Sequence, residues 1–191
     1  MPTHTFLIRH GQSTFNELFD ANGVDPLHYD ARLTPTGRNQ VAAARDAAQR
    51  LGVDLVVVSP LTRAIETCLG LFDPAQTRIV VSPLHRERLG NSCDIGRHPQ
   101  VLSLEFPMLD FGDLGACWWH DGPRDARGVA LEPDEVVASR IADFSKWLGS
   151  RPEQRVAVIG QGTFFHRLTG RHFANCEIVD WSQPLGEAYG P

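Results

Sequence analysis

Arg9, His10 and Gly11 stand in a row behind the short apolar run Phe6-Leu7-Ile8. A guanidinium is always charged and binds phosphate oxygens through two parallel N–H groups. A neutral imidazole is a nucleophile when its other ring nitrogen is held by a hydrogen bond. Glycine lets the backbone lie close to a ligand. Arg63 lies near a second predicted strand end, and Glu87 lies just beyond a third. A protonated carboxyl at Glu87 is placed to hand a proton to a departing oxygen. The chemistry these residue types suit is phosphoryl transfer, which needs cations around the phosphate oxygens and a nucleophile in line with the leaving group. An Arg-His pair alone is a weak signal, because such pairs are mostly surface residues.

The elements that must gather these residues are readable from the pattern. Thr5 to Ile8 reads as a buried strand, followed by loop chemistry at Asn22-Gly23 and Asp25-Pro26. Thr34 suits an N-cap and Pro35 a first helical position. Val41, Ala44, Ala48 and Leu51 then form an apolar stripe, and Gly52 ends the helix. Asp54 to Val58 is a second strand, stopped by Ser59-Pro60, and a helix is expected from Leu61 to about Leu71. Arg78 to Val81 is a third strand, stopped by Ser82-Pro83. The stretch 89–128 has no sustained period and reads as an irregular cap or lid, with Trp118 and Trp119 either lining a pocket or, the commoner case, packing the cap down. Pro133 opens a helix with Val137, Ile141, Phe144 and Leu148 on one face. Arg155 to Ile159 is a fourth strand, ending in Gly160-Gln161-Gly162, and a helix follows from Phe164 to about Leu168.

Strands that are continuous apolar runs, alternating with helices, predict an α/β fold: a three-layer α/β/α sandwich with a mostly parallel central sheet, and one domain over 1–191. In such sheets ligands sit beyond the carboxyl ends of the strands. If the four strands are adjacent, Arg9-His10-Gly11 and the other strand ends meet at one edge.

The order of these segments resembles the histidine phosphatase superfamily, in the branch containing phosphoglycerate mutases. The resemblance rests on Leu7 to Asn16 (Leu-Ile-Arg-His-Gly-Gln-Ser-Thr-Phe-Asn), Leu33 to Gln40, Ser59 to Thr67, and the strand ending at Gly160, and it spans residues 5 to about 170. It implies a phosphohistidine intermediate, with His10 as nucleophile, Arg9 and Arg63 holding phosphate, Asn16 contacting it, and Glu87 as the acid. Asp94 competes with Glu87 for that role. The family pattern has a His-Gly after the last strand, where this chain has Gln161-Gly162. A Gln amide can donate a hydrogen bond to a phosphoryl oxygen but carries no charge. Neutral hydrogen bonds contribute about 1–2 kcal/mol less than charged ones, a loss of roughly fivefold to thirtyfold in rate. His166, one turn into the last helix, reads as a packed or surface residue rather than a replacement. The chain is therefore read as a phosphomonoester hydrolase slowed at Gln161, with a non-catalytic phospholigand-binding protein as the alternative.

Other classes fit poorly. The strand before Gly160-Gln161-Gly162 suggests a dinucleotide fingerprint, but Phe165 stands where its third glycine is needed. No H-E-x-x-H or similar spacing suggests a metal, no G-x-S-x-G elbow is present, and no cofactor is expected. A net charge of −5 over 191 residues argues against a nucleic-acid surface. Cys68, Cys93, Cys117 and Cys176 are too far apart for a C-x-x-C pair and read as idle thiols of a cytoplasmic protein. No apolar run reaches membrane-spanning length. The expected partner is a small phosphorylated substrate or inorganic phosphate. Arg86, Arg88 and Arg97 are either attractors of a second anionic group or solvated charges.

Overall fold

The computed structural model of the chain describes residues 2–181. Its elements follow as β1 (His4–Arg9), α1 (Thr14–Asn22), α2 (Pro35–Gln49), β2 (Leu55–Val58), α3 (Thr62–Leu71), β3 (Ile79–Val81), α4 (Pro99–Glu105), α5 (Asp134–Gly149), β4 (Arg155–Gly160), α6 (Gly162–Thr169) and β5 (Ile178–Asp180). The sheet order is β3-β2-β4-β1-β5. The first four strands are parallel neighbours, and β5 runs antiparallel on the edge beside β1. The register aligns Arg9 with Gly160, and Val58 with both Ile159 and Val81. The four predicted strand ends thus do meet at one edge.

Alternating side chains of the buried strands serve two layers. Ile8, Val56, Val58, Ala157 and Ile159 pack under α2 and α3 through Val41, Ala48, Ile65 and Leu71. Leu7, Leu55, Val57, Val156 and Val158 face α5 and α6 through Val137, Ile141, Phe144, Leu148 and Phe164. Both faces being covered explains why these strands read as unbroken apolar runs rather than alternating ones. Helix α2 starts as expected, with Thr34 Oγ1 accepting from the Gly37 N–H at 2.9 Å. Gly52 takes a left-handed φ of 56° just beyond its end.

Three elements depart from the sequence reading. Helix α1 occupies part of the stretch read as loop. It buries only Phe15, so it has almost no apolar stripe, and a capping box between Ser13 and Asn16 starts it. Strand β5 is three residues long, too short to read. The segment read as an irregular cap contains α4, and its apolar residues Leu102, Phe106, Leu109, Phe111, Leu114 and Trp118 extend the core beneath α3. They are spread without a period because they fill gaps rather than one helical face. Trp118 donates from Nε1 to the Arg97 carbonyl at 2.9 Å. Its ring occupies the space a side chain at Gly96 would need. The packing reading of Trp118 is the one observed. Among the described residues, no helix is long and apolar enough to cross a membrane.

Candidate active site

The β1 strand end delivers His10 into the floor of a cavity of about 440 Å³. The His10 N–H donates to the Gly160 carbonyl at 3.0 Å, which ties the nucleophile candidate to the neighbouring strand end. Its ring Nδ1 is 2.7 Å from the Gly11 carbonyl. A carbonyl only accepts, so Nδ1 carries the proton and Nε2 carries the lone pair. Nε2 in turn receives the Arg63 Nε–H at 3.3 Å. Burial, together with Arg63 and Arg9, holds the ring's pKa well below its ordinary value. The imidazole is uncharged at neutral pH, the form that can attack phosphorus. Gly11 is needed for a reason other than ligand approach: a Cβ there would lie 2.8 Å from the Gly37 carbonyl of α2.

Arg9, Asn16, Arg63, Glu87 and Asp94 line the same cavity. Arg9 Nη1 donates to the Phe173 carbonyl at 2.6 Å, which anchors the guanidinium, while its buried Nε has no partner among the described residues. Arg63 is fixed by the Cys93 carbonyl at 2.7 Å and by Asp94 at 2.9 Å. Asn16 Oδ1 accepts from the Ser13 N–H and hydroxyl, at 3.1 and 2.9 Å, which leaves its NH2 for the cavity. Cations and an amide donor therefore surround a neutral imidazole, as phosphoryl transfer requires.

The two carboxylates differ in what holds them. Asp94 is committed: it pairs with Arg63 and accepts from the Gly90 and Asn91 N–H groups at 3.2 and 3.1 Å. Among the described residues, Glu87 accepts only from backbone, from Arg88 and Phe164 at 2.9 Å on Oε1 and from Thr163 at 3.0 Å on Oε2. Desolvation and the nearby Asp94 charge raise its pKa above the usual carboxylate value. A raised pKa is what a proton donor needs, so Glu87 is the better candidate. A donor must be protonated, so activity that uses it is present below its pKa and lost above it. Asp94→Asn removes the charge that raises Glu87. The alkaline limb of kcat for an alkyl phosphate is then expected to move to lower pH. A limb that stays or moves upward in the measured pH profile contradicts this electrostatic coupling.

Gln161, read as a catalytic residue, is not among the residues that line the cavity. Its side chain is wholly buried, Nε2 donates to Ser59 Oγ at 3.1 Å, and Oε1 has no partner among the described residues. Sequence reasoning also missed part of the cavity wall. His166, partly exposed and packed on His172 with ring centroids 4.0 Å apart, lines it. Phe15, Phe19, Asn91 and Thr163 line it too. The only available hint was that α6 follows a strand end. Neither Arg86 nor Arg97 is a solvated charge or a free anion attractor: Arg86 pairs with Glu132, and Arg97 with Asp30 and Glu105. Arg88 reaches the wall but also pairs with Asp134. Among the described residues, no cluster of three or more His, Cys, Asp or Glu is placed to hold a metal.

Comparison with known proteins gives a consistent answer. The profile of the histidine phosphatase superfamily (branch 1) matches residues 5–184. A phosphoglycerate mutase-like protein of Arabidopsis thaliana is 29% identical, covering 90% of this chain and 81% of its own. A protein of Schizosaccharomyces pombe named "Probable phosphatase" is 30% identical, covering 82% and 73%. The solved structure of a mycobacterial glucosyl-3-phosphoglycerate phosphatase superposes with a TM-score of 0.58 at 18% identity, over 92% of this chain and 89% of that one, which speaks for the fold alone.

Proposed function

The chain belongs to branch 1 of the histidine phosphatase superfamily, and from that premise we propose that it hydrolyses phosphomonoesters of small metabolites through a phosphohistidine at His10. The observation that carries this reading is the buried, uncharged His10 ring, with its tautomer set by Gly11 and its lone pair directed to Arg63.

In the proposed sequence, the phosphoryl group lies between Arg9, Arg63 and Asn16. It takes over the Arg63 Nε–H and so frees His10 Nε2. Nε2 attacks phosphorus, the ester P–O bond breaks, and the Glu87 proton passes to the leaving oxygen. The ring is then cationic, and its Nδ1–H remains bonded to the Gly11 carbonyl. Water attacks phosphorus next, gives a proton to Glu87, and the P–N bond breaks to release phosphate and neutral His10. The cavity is of small-molecule size, large enough for phosphate and a modest organic remainder against Phe15, Phe19, His166 and His172.

Gln161 sets the expected rate. A half-turn of its amide keeps the Ser59 contact, with the hydroxyl now donating, and turns an NH2 to where Oε1 stands unpartnered. That donor is neutral, so Gln161→His is expected to raise kcat on p-nitrophenyl phosphate by about fivefold to thirtyfold. The second reading, a phospholigand binder without turnover, is favoured by the engagement of Gln161 with Ser59. It prevails if Gln161→His binds vanadate yet is as inert as His10→Ala.

A further inference from the structure

Glu132 and Arg140 form an ion pair that is buried and lies outside the cavity wall. Glu132 is 0% and Arg140 6% exposed. Nη2 of Arg140 meets Glu132 Oε2 at 2.8 Å, and Nε meets Oε1 at 3.2 Å. The same guanidinium donates to the carbonyls of Arg86 at 2.7 Å and Leu84 at 3.0 Å. Glu132 Oε2 accepts from the Leu89 N–H at 3.1 Å, and the Glu132 N–H donates to the Leu89 carbonyl at 2.8 Å. The backbone is therefore clamped on both sides of Glu87. The guanidinium also lies over the Phe164 ring, 5.3 Å from its centre, and the Phe164 N–H is a donor to the Glu87 carboxylate.

We propose that Glu132 and Arg140 are positioning residues for the proton donor: together they fix the 84–89 segment and the start of α6, and so the place of the Glu87 carboxyl. This rests on the reading of Glu87 as the acid. A buried ion pair is weak evidence for stability, since apolar residues of equal volume often serve as well. It does define geometry, because a guanidinium offers fixed N–H directions that a lysine does not. Misplacing a catalytic group by about 1 Å can cost on the order of 10²-fold.

The test uses two esters. An alkyl phosphate needs a proton on its leaving oxygen, and p-nitrophenyl phosphate releases a stable phenolate that does not. The ratio of their kcat/KM values reports proton donation and is independent of how much of a variant folds. Glu132→Gln and Arg140→Lys are each expected to lower the alkyl-to-aryl ratio about tenfold or more, in the same direction as Glu87→Gln. In a Glu87→Gln background they are expected to lower it no further. If Glu87→Gln lowers the ratio while the other two reduce both rates equally, the pair is merely structural and this proposal falls alone. If Glu87→Gln leaves the ratio unchanged, or the chain hydrolyses neither ester, the proton-donor reading falls and takes the proposal with it.

Discussion

His10→Ala is expected to lower kcat for every phosphomonoester by on the order of 10³-fold or more, because it removes the atom that forms the covalent bond. The loss is expected in kcat rather than in ligand affinity. Arg9 and Arg63 are held by the Phe173 and Cys93 carbonyls and by Asp94, none of which depends on the imidazole. Binding of inorganic phosphate, measured by calorimetry, should therefore stay within about tenfold of the parent, since the variant loses a neutral contact of roughly 1 kcal/mol. The two measurements separate the roles. Retained binding with no turnover marks a nucleophile. Parallel loss of both marks a residue that merely shapes the cavity, and contradicts the assignment.

Glu87→Gln is expected to lower kcat on an alkyl phosphate by about 10² to 10⁴, the usual range for a positioned proton donor, with a much smaller effect on p-nitrophenyl phosphate. The replacement is close in shape. Its amide oxygen can still accept from Phe164, Thr163 or Arg88, so the start of α6 remains capped. What changes is the ability to release a proton. The pH profile should change with it: the alkaline limb, which follows deprotonation of a carboxyl raised by desolvation and by Asp94, disappears in the variant. The acid side is not expected to show a step near the ordinary histidine value from His10, because burial keeps that ring neutral well below it. A steady-state pH series on both proteins checks both statements.

The parallel sheet was legible because its strands are buried on both faces and end at strong punctuation. Leu55 to Val58 stops before Ser59-Pro60, and Ile79 to Val81 before Ser82-Pro83. Once parallel neighbours are assumed, Arg9-His10 must face the ends of the other strands, and the structure has that arrangement. Helix α1, helix α4 and strand β5 were not legible, since each is short and takes its stability from tertiary contacts more than from its own pattern. The preference for Glu87 over Asp94 also lies beyond the sequence. Both follow the third strand, and what separates them is Arg63, which reaches from α3 to bind one of them. The Glu132–Arg140 clamp is invisible for the same reason: Arg140 lies on α5 with Glu132 just before it, and the Leu84 and Arg86 carbonyls that Arg140 holds lie some fifty residues earlier. Gln161 was found at the right strand end, but its turn toward Ser59 depends on the neighbouring strand.

The central claim is that His10 carries the phosphoryl group during turnover. Phosphohistidine survives in base and is lost in acid, so the direct measurement is a rapid alkaline quench during steady turnover of a small phosphomonoester, followed by peptide mass analysis. The expected result is one added phosphoryl group on the peptide containing His10, lost on acid treatment and absent from His10→Ala. Turnover with an unmodified His10 peptide at every quench time, or a phosphoryl group found on another residue, would contradict it.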